Sequence, residues 1–278
     1  MTLLRALVTR KPIGAVGATI VLVLLVVAVF ADRLAPQHFN ETSLTDALQP
    51  PSRAHWFGTD ELGRDLYSRI LYGAQVSMTV GLAATAVAVL LGAAIGIVSG
   101  YFGRGVDLAL QRVVDAWLAF PGLVMVIALL VLLGPGLGSV ILALGISQAF
   151  PQSRIIRGAT LVVREHAYIE ASRASGASHG RVLLRHVLPN VVAPIIVSAS
   201  TYVSFVILIE AAVSFLGYGV PPPRPSWGGM LSATGRSYMV RAPWLSVFPG
   251  LALTLAIFAF NVLGDALRDL LDPRLRAA

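Results

Sequence analysis

Tyr168-Ile-Glu-Ala-Ser-Arg-Ala-Ser-Gly176, running on to His186-Val-Leu-Pro189, is a charged stretch set between apolar ones. Segments of membrane-spanning character stand on both sides of it. A helix-prone, Arg-rich loop between two spans is free to dock against a partner outside the bilayer. On that reading the chain moves something across a membrane under the control of another protein. The stretch reads as two short helices with a turn near Gly176. Glu170, Ala171, Arg173 and Ala174 favour helix, Gly176 is a stop, and Arg181 to Leu188 resume. Pro189 marks the mouth of the next span. So short a helix is marginal in water on its own and needs a surface to lie on. That surface is a partner protein or, as the rival reading, anionic lipid met through Arg181 and Arg185.

Composition supports the membrane setting. The 278 residues are 56% hydrophobic and 13% charged, against about 25% charged in soluble domains. Such a chain cannot cover its own surface in water. The net charge of +7 does not point to nucleic acid, because the arginines sit beside apolar segments, where they set topology. Cysteine is absent, which excludes disulfides and thiolate metal sites. Met1 to Lys11 carries Arg5, Arg10 and Lys11 ahead of an apolar run. That run is longer than a usual signal core, and Ala31-Asp-Arg-Leu makes a poor cleavage site, so it reads as a retained first span.

A spanning helix needs about 20 apolar residues. Six segments qualify, the fourth weakly: Ile13–Phe30, Val76–Gly100, Trp117–Leu133, Leu137–Gln152, Val191–Phe215 and Leu245–Gly264. The expectation is an all-α membrane protein with six transmembrane helices. Residues 1–74 comprise the N-terminal tail, the first span and an outer segment. Residues 75–278 form a five-helix core with an inner loop 153–190 and an outer loop 216–244. With the N-terminus inside, 14 of the 21 basic residues fall on inner segments and 7 on outer ones. The positive-inside rule then places both termini in the cytoplasm.

Few residues offer chemistry. No G-x-x-x-x-G-K-[ST] phosphate cradle is present; Gly100-Tyr-Phe-Gly-Arg-Gly105 lacks its Lys and Ser/Thr. Of His166, His179 and His186 only His166 has an acidic residue at i+4, Glu170, and one such pair does not make a metal site. Glu210 is the one ionisable residue well inside a span. A carboxylate in hydrocarbon costs about 2.5–3.5 kcal/mol near the centre, so it faces the bundle interior. There it lines a path or an outer gate, or it bonds a neighbouring helix. Gly92, Gly96 and Gly100, four apart, allow another helix backbone to approach closely, as a fixed or a mobile seam. Loop 216–244 carries Gly217-Tyr-Gly-Val-Pro-Pro-Pro223 and Pro225-Ser-Trp-Gly-Gly229; long loops of this kind are often binding surfaces.

The chain resembles the permease subunits of binding-protein-dependent ABC importers. The family signature reads E-A-A, three residues, G, nine residues, an apolar position, any residue, then L-P. Here it stands as Glu170-Ala171-Ser172, Gly176, His186 and Leu188-Pro189 with every spacing kept. Ser172 replaces the third Ala, and His186 fills the apolar position. Further stretches are similar to the dipeptide/oligopeptide/nickel branch, second-permease type. They are His55-Trp-Phe-Gly-Thr-Asp60 with Gly63-Arg-Asp65, Glu210 to Gly217, Pro222 to Gly228, and Phe260 to Asp265 through Leu271-Asp-Pro-Arg274.

The resemblance implies the type I ABC importer permease fold in a bacterial cytoplasmic (inner) membrane. It implies a heterodimer with a homologous permease, contacts with membrane lipid, two ATPase subunits below and an extracytoplasmic binding protein above. Glu170, Ala171, Ser172, Arg173 and Gly176 then form a coupling helix that rests on an ATPase, with Leu188 and Pro189 fixing the exit into the fifth span. Pro222, Pro223 and Trp227 meet the binding protein. This chain carries no cofactor and is not an enzyme; ATP and Mg belong to the ATPase subunits. The cargo implied is a dipeptide or short oligopeptide, with nickel chelates or another small solute as the alternative. A self-sufficient channel or receptor scaffold is the rival from another class.

Overall fold

Asp65 starts the longest helix. Its carboxylate accepts the Ser68 backbone N–H at 2.8 Å and the Ser68 hydroxyl at 2.7 Å, a side-chain cap on donors that otherwise lack partners. In the computed structural model, which describes residues 7, 9, 11–232 and 237–271, this helix runs Leu66–Phe102. It is α2, after α1 (Pro12–Leu34). The chain continues through α3 (Arg104–Leu118), α4 (Gly122–Leu133) and α5 (Leu137–Arg164). Two short helices follow, α6 (Ala167–Ala174) and α7 (His179–Val182). A π segment, Leu183–Val187, leads into α8 (Leu188–Phe215). The last helices are α9 (Trp227–Met230) and α10 (Trp244–Leu271). Among the described residues the only β pairing is the isolated bridge Thr59–Asp65. Arg5, Arg10, Arg236 and Asp272 to Arg274, used above for topology and resemblance, lie outside the described residues, as does Arg276.

Among the described residues four helical stretches are long and apolar enough to cross a membrane: α1, α2, the run His179–Phe215, and α10. The count becomes five if α3 and α4 together make one bent span. The expected third span, Trp117–Leu133, is not one rod. Trp117 belongs to α3, and α4 leaves it at 91°. The break falls at Pro121, which has no N–H to give and pushes its predecessor out of helical conformation. The expected fourth span, Leu137–Gln152, continues as helix to Arg164, so the inner loop begins later than 153. Arg154 and Arg157 look like loop residues but find partners on α3. Arg154 pairs with Asp115, and Arg157 grips Asp107 with two bonds of 2.6 Å. Asp107, Gln111 and Asp115 lie four apart and so form one polar stripe on α3. The stripe faces the bundle, and Val106, Val113 and Phe120 face outward.

The packing centre is the parallel pair of α2 and α5. Its seam is built on glycine, as the spacing anticipates. A Cβ on Gly92 would lie 2.9 Å from the Ala149 carbonyl oxygen, and one on Gly96 2.5 Å from that of Ser153. No side chain fits between these backbones. α1 packs on α2 and α10, burying Val21, Leu24 and Ala28 against Met78, Ile207, Ala256 and Phe260. Lys11 and Asp269 join the ends of α1 and α10 at 2.5 Å.

Candidate functional site

The two ends of the bundle are built differently. The Arg-rich end carries α6 and α7, and the other end carries the Pro-rich loop.

At the Arg-rich end, α6 stops in a Schellman turn. The Ala177 N–H bonds the Ser172 carbonyl at 3.1 Å, and the Gly176 N–H bonds that of Arg173 at 2.9 Å. Gly176 takes φ +79° with no atom within 4 Å of its missing Cβ. Backbone conformation, and not space, therefore requires glycine there. The turn folds α7 back beside α6. Ile169, Val182, Val187 and Val191, all with zero exposure, form a small core there with Tyr101 and Val163. Tyr101, from the C-terminal end of α2, receives the Arg173 guanidinium over its ring at 4.6 Å. Its hydroxyl lies 3.0 Å from His179 Nδ1. Glu170, Ala171, Arg173 and Gly176 are exposed, Ser172 is half-buried, and together they offer a polar, small-residue face. A helix lying on lipid would turn its apolar residues outward; here Ile169 and Val182 turn inward.

Beyond α7 the helix widens. The Leu188 N–H bonds the Leu183 carbonyl, five residues back. Pro189 explains the widening, because its ring presses on the carbonyl four residues behind it in a regular helix. Leu188 is half-buried and Pro189 exposed at the mouth of α8.

At the other end the His55–Asp65 stretch proves to be a polar knot. His55 Nδ1 meets the Asp65 cap at 3.0 Å. Asp60 accepts the backbone N–H groups of Leu62 and Arg64, and its other oxygen takes Arg64 Nε at 2.6 Å and faces Arg69 Nε at 3.4 Å. The Thr59 carbonyl accepts Trp244 Nε1 at 3.1 Å, which ties the knot to α10. The motif thus fixes how the chain enters α2. Beside it opens a cavity of about 690 Å³. Asp60, Glu61, Arg64 and Arg69 form one wall, and Tyr218, Pro221 to Pro225, Ser214 and Ser226 form the others. Burial pushes the Glu61 carboxyl above its ordinary value, while Arg64 and Arg69 pull against the shift.

Two expectations at this end need correction. Trp227 is 1% exposed and does not offer its ring to a partner. Its Nε1 donates to the Ile70 carbonyl at 3.1 Å and its backbone N–H to Ser77 Oγ at 3.4 Å. A buried indole needs such a partner, and the sequence context alone did not show that α2 supplies it. Pro222 and Pro223 do stand at the surface. Glu210 has no exposed area and so lines no open path within this subunit. Its carboxylate accepts Ser214 Oγ at 2.7 Å and Ser77 Oγ at 3.5 Å. Ser226 Oγ reaches Ser214 Oγ at 3.4 Å. Glu210 therefore sits at the centre of a hydroxyl cluster that joins α8, α2 and the base of the Pro-rich loop.

The sequence profile of the family described as "Binding-protein-dependent transport system inner membrane component" matches residues 92–277. The chain belongs to this family. A second profile, the N-terminal TM domain of oligopeptide transport permease C, matches residues 8–51. A putative peptide transport system permease protein of Brucella suis biovar 1 is 45% identical over 261 residues, covering 94% of this chain and 88% of that protein. A dipeptide transport system permease protein of Alkalihalophilus pseudofirmus is 40% identical over 268 residues, covering 96% and 88%. Among solved structures, the inward-facing MetNI methionine ABC transporter superposes with a TM-score of 0.60 at 17% identity, covering 73% of this chain and 96% of that one. That likeness shows the fold of an ABC importer permease. As an inner-membrane component of such a system, this multi-pass permease works with ATPase and substrate-binding components made by other chains.

Proposed function

We propose that this permease takes up dipeptides or short oligopeptides, driven by ATP hydrolysis in partner subunits that act on α6. The observation that carries the reading is the exposed face of α6. It is a short helix held rigidly on the bundle by its own small core, with its polar residues left for a partner. The 40–45% identity to permeases named for peptides and dipeptides supports the cargo.

The assembly proposed is a heterodimer with a homologous permease in lipid, two ATPase subunits that bind ATP and Mg, and an extracytoplasmic binding protein. The excess of arginine puts the Arg-rich end in the cytoplasm together with both termini. Glu170, Ala171, Ser172, Arg173 and Gly176 meet an ATPase. Pro222 and Pro223, exposed on the opposite end, meet the binding protein. ATPase closure pushes α6, and the bundle passes from one packed state to another. Reversing a 1:99 population takes about 5.5 kcal/mol of differential binding, a demand that nucleotide binding and hydrolysis in the partners would have to meet. Glu210 acts at the outer gate by holding the base of the Pro-rich loop to α2 and α8.

Reconstitution tests this reading. The chain is placed in proteoliposomes with its partner permease, ATPase subunits and binding protein. ATP and a dipeptide should give uptake, and leaving out the ATPases should abolish it. Uptake of a dipeptide by this chain alone would show a self-sufficient channel and overturn the reading.

A further inference from the structure

We infer that Tyr101 is the joint through which the coupling segment moves α2, and through α2 the outer end of the permease. The inference rests on the coupling role proposed for α6. Three observations meet at this residue. Tyr101 is 2% exposed although it stands one residue before the end of α2, where side chains usually fray into solvent. Each side of the Gly176 turn sends one side chain to it: Arg173 stacks on the ring at 4.6 Å, and His179 bonds the hydroxyl at 3.0 Å. The carbonyl next to it, that of Gly100, accepts Arg164 Nη1 from the end of α5 at 3.2 Å. The coupling hairpin thus grips the end of α2 chiefly at Tyr101, with the neighbouring Phe102 ring 5.4 Å from that of His179. A cation over a ring and a hydrogen bond both depend on direction, so displacement of α6 pulls on the ring.

The other end of α2 explains why the grip matters. α2 has 37 residues, about 55 Å at 1.5 Å per residue. Near its start Ile70 and Ser77 hold Trp227, and Ser77 also reaches Glu210. A helix is stiff along its axis, so a tilt imposed at Tyr101 reaches the segment that walls the outer cavity. One rod joins the two functional ends. No contact between α6 and the Pro-rich loop is needed.

The test uses the assembled transporter in proteoliposomes. The readouts are peptide taken up per ATP hydrolysed, membrane abundance, and crosslinking of an Ala171→Cys probe to the ATPase. Tyr101→Phe keeps the ring under Arg173 and loses the bond to His179; Tyr101→Leu loses both. Uptake per ATP should fall at least tenfold in Tyr101→Leu and about threefold in Tyr101→Phe, with the crosslink retained. His179→Leu, which removes the same hydrogen bond and also the ring contacts of His179 with Tyr101 and Phe102, should lower uptake per ATP at least as much as Tyr101→Phe, and adding Tyr101→Phe to it should cost nothing more. If Tyr101→Leu fails to reach the membrane, His179→Leu, on an exposed residue, decides in its place. Normal uptake per ATP in Tyr101→Leu, or in His179→Leu where that variant decides, with the crosslink intact would overturn the joint and leave the coupling role standing. Loss of the crosslink in the otherwise unchanged chain would instead remove the reading beneath it.

Discussion

Gly96→Leu should remove the permease from the membrane. A Cβ at this position meets the Ser153 carbonyl oxygen at 2.5 Å, the Arg157 nitrogen at 2.9 Å and Ile156 Cβ at 3.0 Å. Two of these are backbone atoms of a helix, which do not swing aside as the tip of a side chain does. α2 and α5 must separate, and the neighbouring contacts at Gly92 and Gly100 go with them. So does the alignment of Arg157 on Asp107. Overpacking costs about 1–3 kcal/mol, occasionally more; a clash with backbone belongs at the upper end. That is a large part of a total stability of about 5–15 kcal/mol. The expected result is a fall of at least fivefold in detergent-extracted protein, with a lowered thermal midpoint in what remains. Gly105→Ala, where a Cβ meets nothing within 4 Å, should extract normally. Normal extraction of Gly96→Leu would mean that the two helices are not in backbone contact.

Gly176→Leu should act in the opposite manner, sparing abundance and cutting transport. No atom stands in the way of a side chain there. The penalty comes from φ +79°, which costs an L-residue roughly 1–2 kcal/mol. The Schellman turn relaxes to avoid that cost, and the exposed face of α6 changes its angle. Since 1.4 kcal/mol is about a factor of ten, uptake and ATPase stimulation should fall about tenfold at unchanged membrane level. Gly176→Asn is the discriminating control. Asparagine tolerates the left-handed region better than other side chains, so it should recover most of the transport. Equal loss in both variants would place the requirement in side-chain bulk and not in the backbone.

These two positions were legible in the sequence because each rests on a spacing: glycines four apart, and a glycine at its place in the signature. Other features were hidden for physical reasons. Leu66 to Gln75 reads as loop because Tyr, Ser and Arg interrupt it, yet the Asp65 cap turns it into the first turns of α2. The broken third span is invisible to composition, because an average over Trp117–Leu133 does not register one proline. Arg154 and Arg157 resemble loop charges until the partners on α3 are known. Trp227 stands among prolines and glycines and reads as a surface residue; only the tertiary structure shows the Ile70 carbonyl behind it. Tyr101 lies in a Gly-rich stretch that attracts notice only as a failed phosphate loop. Its partners, Arg173 and His179, are more than seventy residues away.

The central claim is that α6 transmits work from an ATPase. Because the chain contains no cysteine, Ala171→Cys would be its sole thiol and takes a photoactivatable label cleanly. Illumination of the assembled transporter should join this position to the ATPase subunit, with a yield that changes when ATP is added. Adducts with lipid alone, or with the extracytoplasmic binding protein, would contradict it.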